Sequence, residues 1–99
     1  MGDPIDLMIH KSSQESIGVS SSQIRAARAL LGWSGKDLAE FCSVGLATIR
    51  RYEQENGLKK ANPSVLKAII NLFESHGIEF LGDPLVNPGV ILHLDRQAK

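Results

Sequence analysis

Only three residues, Ser43-Val44-Gly45, separate two stretches that each carry a full set of helix signals. Ahead of them, Ser34-Gly35-Lys36-Asp37 has the spacing of a capping box, with Asp37 at the positive end of the helix dipole, so a short helix is predicted over about Gly35 to Cys42. Behind them, a helix is predicted from Leu46 to Gln54 or Glu55, where Asn56-Gly57 stops it. Two short helices joined this tightly must cross steeply. The crossing needs a small residue on the first helix, which Ala39 supplies, and fillers between the helices, for which Leu38, Cys42, Val44, Ile49 and Tyr52 are in position. Leu46, Ala47, Thr48, Arg50 and Arg51 are left near the outer face of the second helix. Gly45 has no side chain to cap the helix that follows.

The flanks predict one core around this pair. Ser20-Ser21-Ser22-Gln23 is a second capping box, opening a helix to about Leu31 with Ile24, Ala27, Leu30 and Leu31 on its apolar stripe and Arg25 and Arg28 off it. Gly32 and Trp33 end that helix, with Trp33 expected in the core. Asn62-Pro63 pairs an N-cap with proline at the first helical position, and Leu66, Ile69, Ile70 and Phe73 form the stripe of a helix ending at Gly77. Beyond it the period becomes strand-like, in Ile78-Glu79-Phe80 and Val90-Ile91-Leu92-His93-Leu94, with turn chemistry at Asp83-Pro84 and Asn87-Pro88-Gly89. A lone hairpin is at best marginally stable in water, so Ile78, Phe80, Val90, Leu92 and Leu94 are expected to pack on a surface or to form a dimer interface. The expected organisation is a flexible N-terminal arm over residues 1–19, a helical domain over 20–76 and a β-strand extension over 77–99 that serves dimerisation.

Ninety-nine residues leave room for one hydrophobic core. No apolar run reaches the roughly 18 residues of a membrane span, and acidic Asp3 and Asp6 stand where an export signal carries basic residues, so no membrane role and a cytoplasmic location are expected. Cys42, the single cysteine, has no internal disulfide partner. His10, His76 and His93 are too scattered for a metal signature, no serine or cysteine is ordered beside a histidine, and no glycine-rich phosphate loop occurs; neither metal, cofactor nor enzymatic activity is expected. The net charge is zero, yet residues 21–76 carry eight basic side chains (Arg25, Arg28, Lys36, Arg50, Arg51, Lys59, Lys60, Lys67) against five acidic ones (Asp37, Glu40, Glu53, Glu55, Glu74). That local excess suits an anionic partner, whereas the neutral whole suits a mixed-charge solvated surface.

From Gln23 to Phe73 the chain resembles the Cro/C1-type, or XRE, helix-turn-helix family, in Gln23-Ile24-Arg25-Ala26-Ala27-Arg28-Ala29-Leu30-Leu31-Gly32-Trp33-Ser34, Asp37-Leu38-Ala39, Thr48-Ile49-Arg50-Arg51-Tyr52-Glu53 and Asn62-Pro63. The resemblance implies a mainly α, lambda-repressor-like domain of four to five helices, here with a two-stranded β extension. It implies double-stranded DNA as partner, with the helix after the turn as the recognition helix. Two departures stand out. Many members have glutamine, which touches a phosphate and braces the recognition helix, where this chain has Gly35, and the usual glycine, apolar, serine order of the turn is reversed in Ser43-Val44-Gly45, which implies a left-handed Ser43 at a cost of about 1 kcal/mol.

On that footing Arg50 and Arg51 are expected to read base edges, since a guanidinium can donate twice to guanine, while Leu46 and Ala47 touch thymine methyls. Thr48, Lys36, Lys59 and Lys60 are expected on phosphates. The alternative for Arg50 and Arg51 is a solvated face paired with Glu53, Gln54 or Glu55. A transcriptional repressor binding a palindromic operator as a homodimer is the first functional reading. The second is an antitoxin-like or adaptor module that holds a protein partner, with DNA binding secondary.

Overall fold

The computed structural model describes residues 18–96, so all of the expected N-terminal arm except Gly18 and Val19 lies outside the described residues. Four helices come first: α1 (Ser21–Leu30), α2 (Gly35–Cys42), α3 (Leu46–Tyr52) and α4 (Pro63–Ser75). An antiparallel hairpin of β1 (Ile78–Leu81) and β2 (Gly89–Leu92) follows, and a 3-10 turn, Leu94–Arg96, closes the described chain.

Local chemistry accounts for most boundaries. Ser20 and Ser34 each accept the backbone N–H three residues on, and Gln23 and Asp37 return the bond to the cap backbone, completing both capping boxes. Asn62 Oδ1 accepts from the Ser64 and Val65 N–H groups, with Pro63 in the first helical position. The helix α3 stops at Tyr52, earlier than the sequence predicts, because the chain tightens beyond it: the Gln54 N–H bonds the Arg51 carbonyl, and the Gly57 N–H bonds the Gln54 carbonyl. Gly57 fits there only without a side chain, since a Cβ would lie 1.8 Å from the Arg51 carbonyl oxygen.

Ile24 and Ala27 of α1, Leu38 and Ala39 of α2, Ile49 and Tyr52 of α3, Leu66, Ile69 and Phe73 of α4 and Ile78 of β1 form one buried core. Trp33 is half-buried at its rim, stacked on Phe73 at 5.8 Å and meeting Phe41 and His76 edge-on.

The hairpin belongs to the same core. Ile78 pairs with Leu92 and Phe80 with Val90, so these four side chains share one face. That face turns onto the chain's own helices, β1 against α4 and β2 against α1, with Phe80 edge-on to Phe73. Ile78 is 3% exposed, and Phe80, Val90 and Leu92 are half-buried. Of the residues expected at a dimer interface, Ile78 thus has no free side-chain surface, and the cover that a lone hairpin lacks comes from α1 and α4. Leu94 differs from its expected place in the second strand: pairing ends where the His93 N–H bonds the Gly77 carbonyl, and Leu94 begins the 3-10 turn, 72% exposed. Buried Gln23 ties the two ends of the molecule together, its Nε2 donating to the Leu81 carbonyl at 3.0 Å and the Gly89 carbonyl at 2.9 Å.

Candidate DNA-binding interface

The turn between α2 and α3 has the strained geometry its residues imply. Ser43 sits at φ 57°, ψ 44°, in the left-handed region, and its N–H and that of Val44 both reach back to the Ala39 carbonyl. Gly45 is extended and caps α3 with no side chain. The filler positions fall where the crossing requires them: Leu38, Ala39, Ile49 and Tyr52 are buried, and Cys42 and Val44 are half-buried against them. The Cys42 thiol donates to the Leu38 carbonyl at 3.0 Å, and burial pushes its pKa up.

What α3 presents to solvent is narrower than the sequence suggests. Ala47, Arg50 and Arg51, spaced as neighbours on one helix face, are exposed. Leu46 is half-buried and leans over Gly35, where a Cβ would meet its Cδ1 at 3.6 Å. Thr48 is half-buried, while Lys36 at the start of α2 and Lys59 and Lys60 in the loop after α3 are exposed. The Arg51 guanidinium lies 5.5 Å from the centre of the Tyr52 ring. Tyr52 in turn fixes the loop bearing the lysines, its hydroxyl accepting the Asn62 N–H at 2.9 Å.

The carboxylate nearest the arginines in sequence belongs to another residue. Arg28 of α1 grips Glu53 with two bonds, Nε at 2.8 Å and Nη2 at 2.9 Å, and gives Nη1 to the Trp33 carbonyl at 3.0 Å. The Glu53 carboxylate stabilises the charged guanidinium, and the Arg28 pKa rises above its usual value. Among the described residues neither Arg50 nor Arg51 has a carboxylate partner. Arg28 was not among the partners expected for Glu53: an acid directly after buried Tyr52 signals the need for a partner, but which one is set by how α1 packs against the end of α3.

The described residues contain no group of three side chains able to hold a metal ion, and no helix among them is long and apolar enough to cross a membrane. No curated protein and no solved structure gives a significant match to the chain. A family model described as helix-turn-helix matches residues 24–80, more than half of the chain and all of the α2-turn-α3 unit. A capped helix, a left-handed three-residue turn, a second helix with its arginines outward and this match lead to one statement: the chain belongs to the Cro/C1-type, or XRE, helix-turn-helix family of DNA-binding transcription regulators.

Proposed function

We propose that this protein is a repressor that binds a palindromic operator as a homodimer, in the cytoplasm, with α3 in the major groove. The observation that carries this reading is the outward face of Ala47, Arg50 and Arg51, whose arginines have no carboxylate partner among the described residues because Arg28 takes Glu53. A guanidinium left to solvent can give both donors to guanine, a discrimination worth about 1–3 kcal/mol. Arg50 and Arg51 read bases, Ala47 and the outer part of Leu46 touch thymine methyls, and Lys36, Thr48, Lys59 and Lys60 hold phosphates.

One recognition helix offers few base contacts, so two copies reading half-sites about 34 Å apart supply the affinity. With Ile78 committed to its own core, pairing between hairpins runs through strand backbone, Ile91 and Leu94, which are 41% and 72% exposed. Selection of bound fragments from random duplex DNA tests the reading directly. The expected product is an inverted repeat with half-sites one helical turn apart, and an unenriched pool rejects it.

A second reading, a protein-interaction module with DNA binding secondary, is favoured by the zero net charge and by the hairpin loop, where Leu85 and Val86 are 93% and 77% exposed. Salt separates the two. A dimer neutralising about six phosphates loses affinity with a log–log slope of roughly −5, whereas a protein-only module shows no DNA affinity at any salt.

A further inference from the structure

The helix α3 has seven residues and no side-chain cap at its start, so little at that end fixes its tilt. Its other end is held from a distance. Three side chains spaced along one face of α1 reach the two residues that directly follow α3. The Ser21 hydroxyl donates to the Gln54 carbonyl at 2.8 Å, Arg25 Nη1 donates to the Glu53 carbonyl, and Arg28 holds the Glu53 carboxylate. The helix that carries them is itself immobilised, by burial of Ile24 and Ala27 on its next face and by the Gln23 amide on the hairpin.

We infer that Ser21 and Arg25 are positioning residues for base recognition: by bonding the Gln54 and Glu53 carbonyls directly after α3, they set the angle at which Arg50 and Arg51 meet the groove. This rests on the DNA-reading role given to α3 above. Hydrogen bonds weaken steeply with misalignment, and a two-bond arginine–guanine contact is more sensitive to tilt than attraction to phosphate is. Loosening the end of α3 therefore costs discrimination before it costs non-specific binding.

The test uses the full chain, the duplex that wild-type protein enriches from a random pool, and a scrambled duplex. Ser21→Ala and Arg25→Met are each expected to lower the ratio of enriched to scrambled affinity about tenfold, with an unchanged salt slope and an unchanged helical circular dichroism signal at the assay temperature. Ser21→Thr and Arg25→Lys, which keep a donor, are expected to restore most of the ratio. Ratios within twofold of wild type in both variants overturn the inference and leave the DNA-binding reading intact. An equal loss on both duplexes with a shallower slope for Arg25→Met makes Arg25 a phosphate ligand and overturns its positioning role. A ratio that falls only in step with the dichroism signal overturns it as well. Wild-type protein that cannot distinguish the two duplexes refutes the DNA-reading role itself.

Discussion

Arg28 and Glu53, 25 residues apart, meet through two bonds of 2.8 and 2.9 Å, and this pair joins α1 to the C-terminal end of α3. Both side chains are largely shielded, at 24% and 11% exposure. Arg28→Ala leaves a shielded carboxylate with one partner fewer, and the expected loss is about 2 kcal/mol in urea unfolding. Because the pair raises the Arg28 pKa, its contribution is complete below the unfolded value and fades only as pH climbs through the folded one. The stability gap between wild type and Arg28→Ala is therefore expected to stay flat from about pH 7 to about pH 10, and a gap closing within that window contradicts the assignment.

Arg51 and Lys60 are assigned different kinds of contact. On the proposed base-reading role, Arg51→Ala is expected to weaken the enriched duplex about tenfold while sparing random DNA. Lys60→Ala is expected to weaken all sequences alike and to reduce the salt slope by about 0.9. Fluorescence anisotropy titrations on both duplexes read each outcome, and equal loss on the two duplexes for Arg51→Ala removes it from the base-reading face.

Features decided by bonds three or four residues apart were legible in the amino-acid order. The caps at Ser20, Ser34 and Asn62 follow from side chains acting on nearby backbone, and each is found where expected, as is the left-handed Ser43 that the family resemblance implies. The apolar spacing also identified the α2–α3 fillers. Contacts between distant segments were not legible. Nothing near Gln23 indicates that its amide will meet Leu81 and Gly89, and nothing near Glu53 points to Arg28. The hairpin was recognisable by its period, but whether a partner or its own helices would cover Phe80 and Leu92 depends on how α1 and α4 pack, which periodicity does not encode.

The turn before α3 offers a gain and the loop after it a loss. Ser43 bears the left-handed cost with an exposed side chain, so Ser43→Gly is expected to stabilise the fold by about 0.5–1 kcal/mol. Gly57→Ala drives a Cβ into the Arg51 carbonyl, and a loss of about 3 kcal/mol is expected. Thermal melts should shift in opposite directions, by roughly 4–8 °C per kcal/mol.

Gln23 is 2% exposed and makes three side-chain bonds besides. Gln23→Leu preserves the volume but takes one donor from each of the Leu81 and Gly89 carbonyls, a loss of about 2 kcal/mol. Hydrogen exchange is expected to quicken in β1 and β2 before it does in α4. Uniform acceleration across the chain means that the hairpin has no separate dependence on this amide.

Burial raises the Cys42 pKa, so the thiol stays protonated in the fold at pH values where an unfolded chain begins to ionise. This stabilises the folded state below the unfolded thiol's pKa and is lost as pH rises through the folded one. Cys42 is expected to react with iodoacetamide at pH 8 at least tenfold more slowly than the urea-unfolded chain does. Comparable rates mean that the thiol is not shielded.

The Gln23 bridge also bears on synthesis. A ribosome releases the start of α1 long before the two carbonyls that this amide needs, and Ile78 reaches the core later than every helix. An mRNA broken before the last strand yields a product in which the Gln23 amide lacks its Gly89 partner and β1 lacks the Val90 and Leu92 side chains that share its inner face. Completion of the bridge is then reserved for molecules translated through both strands.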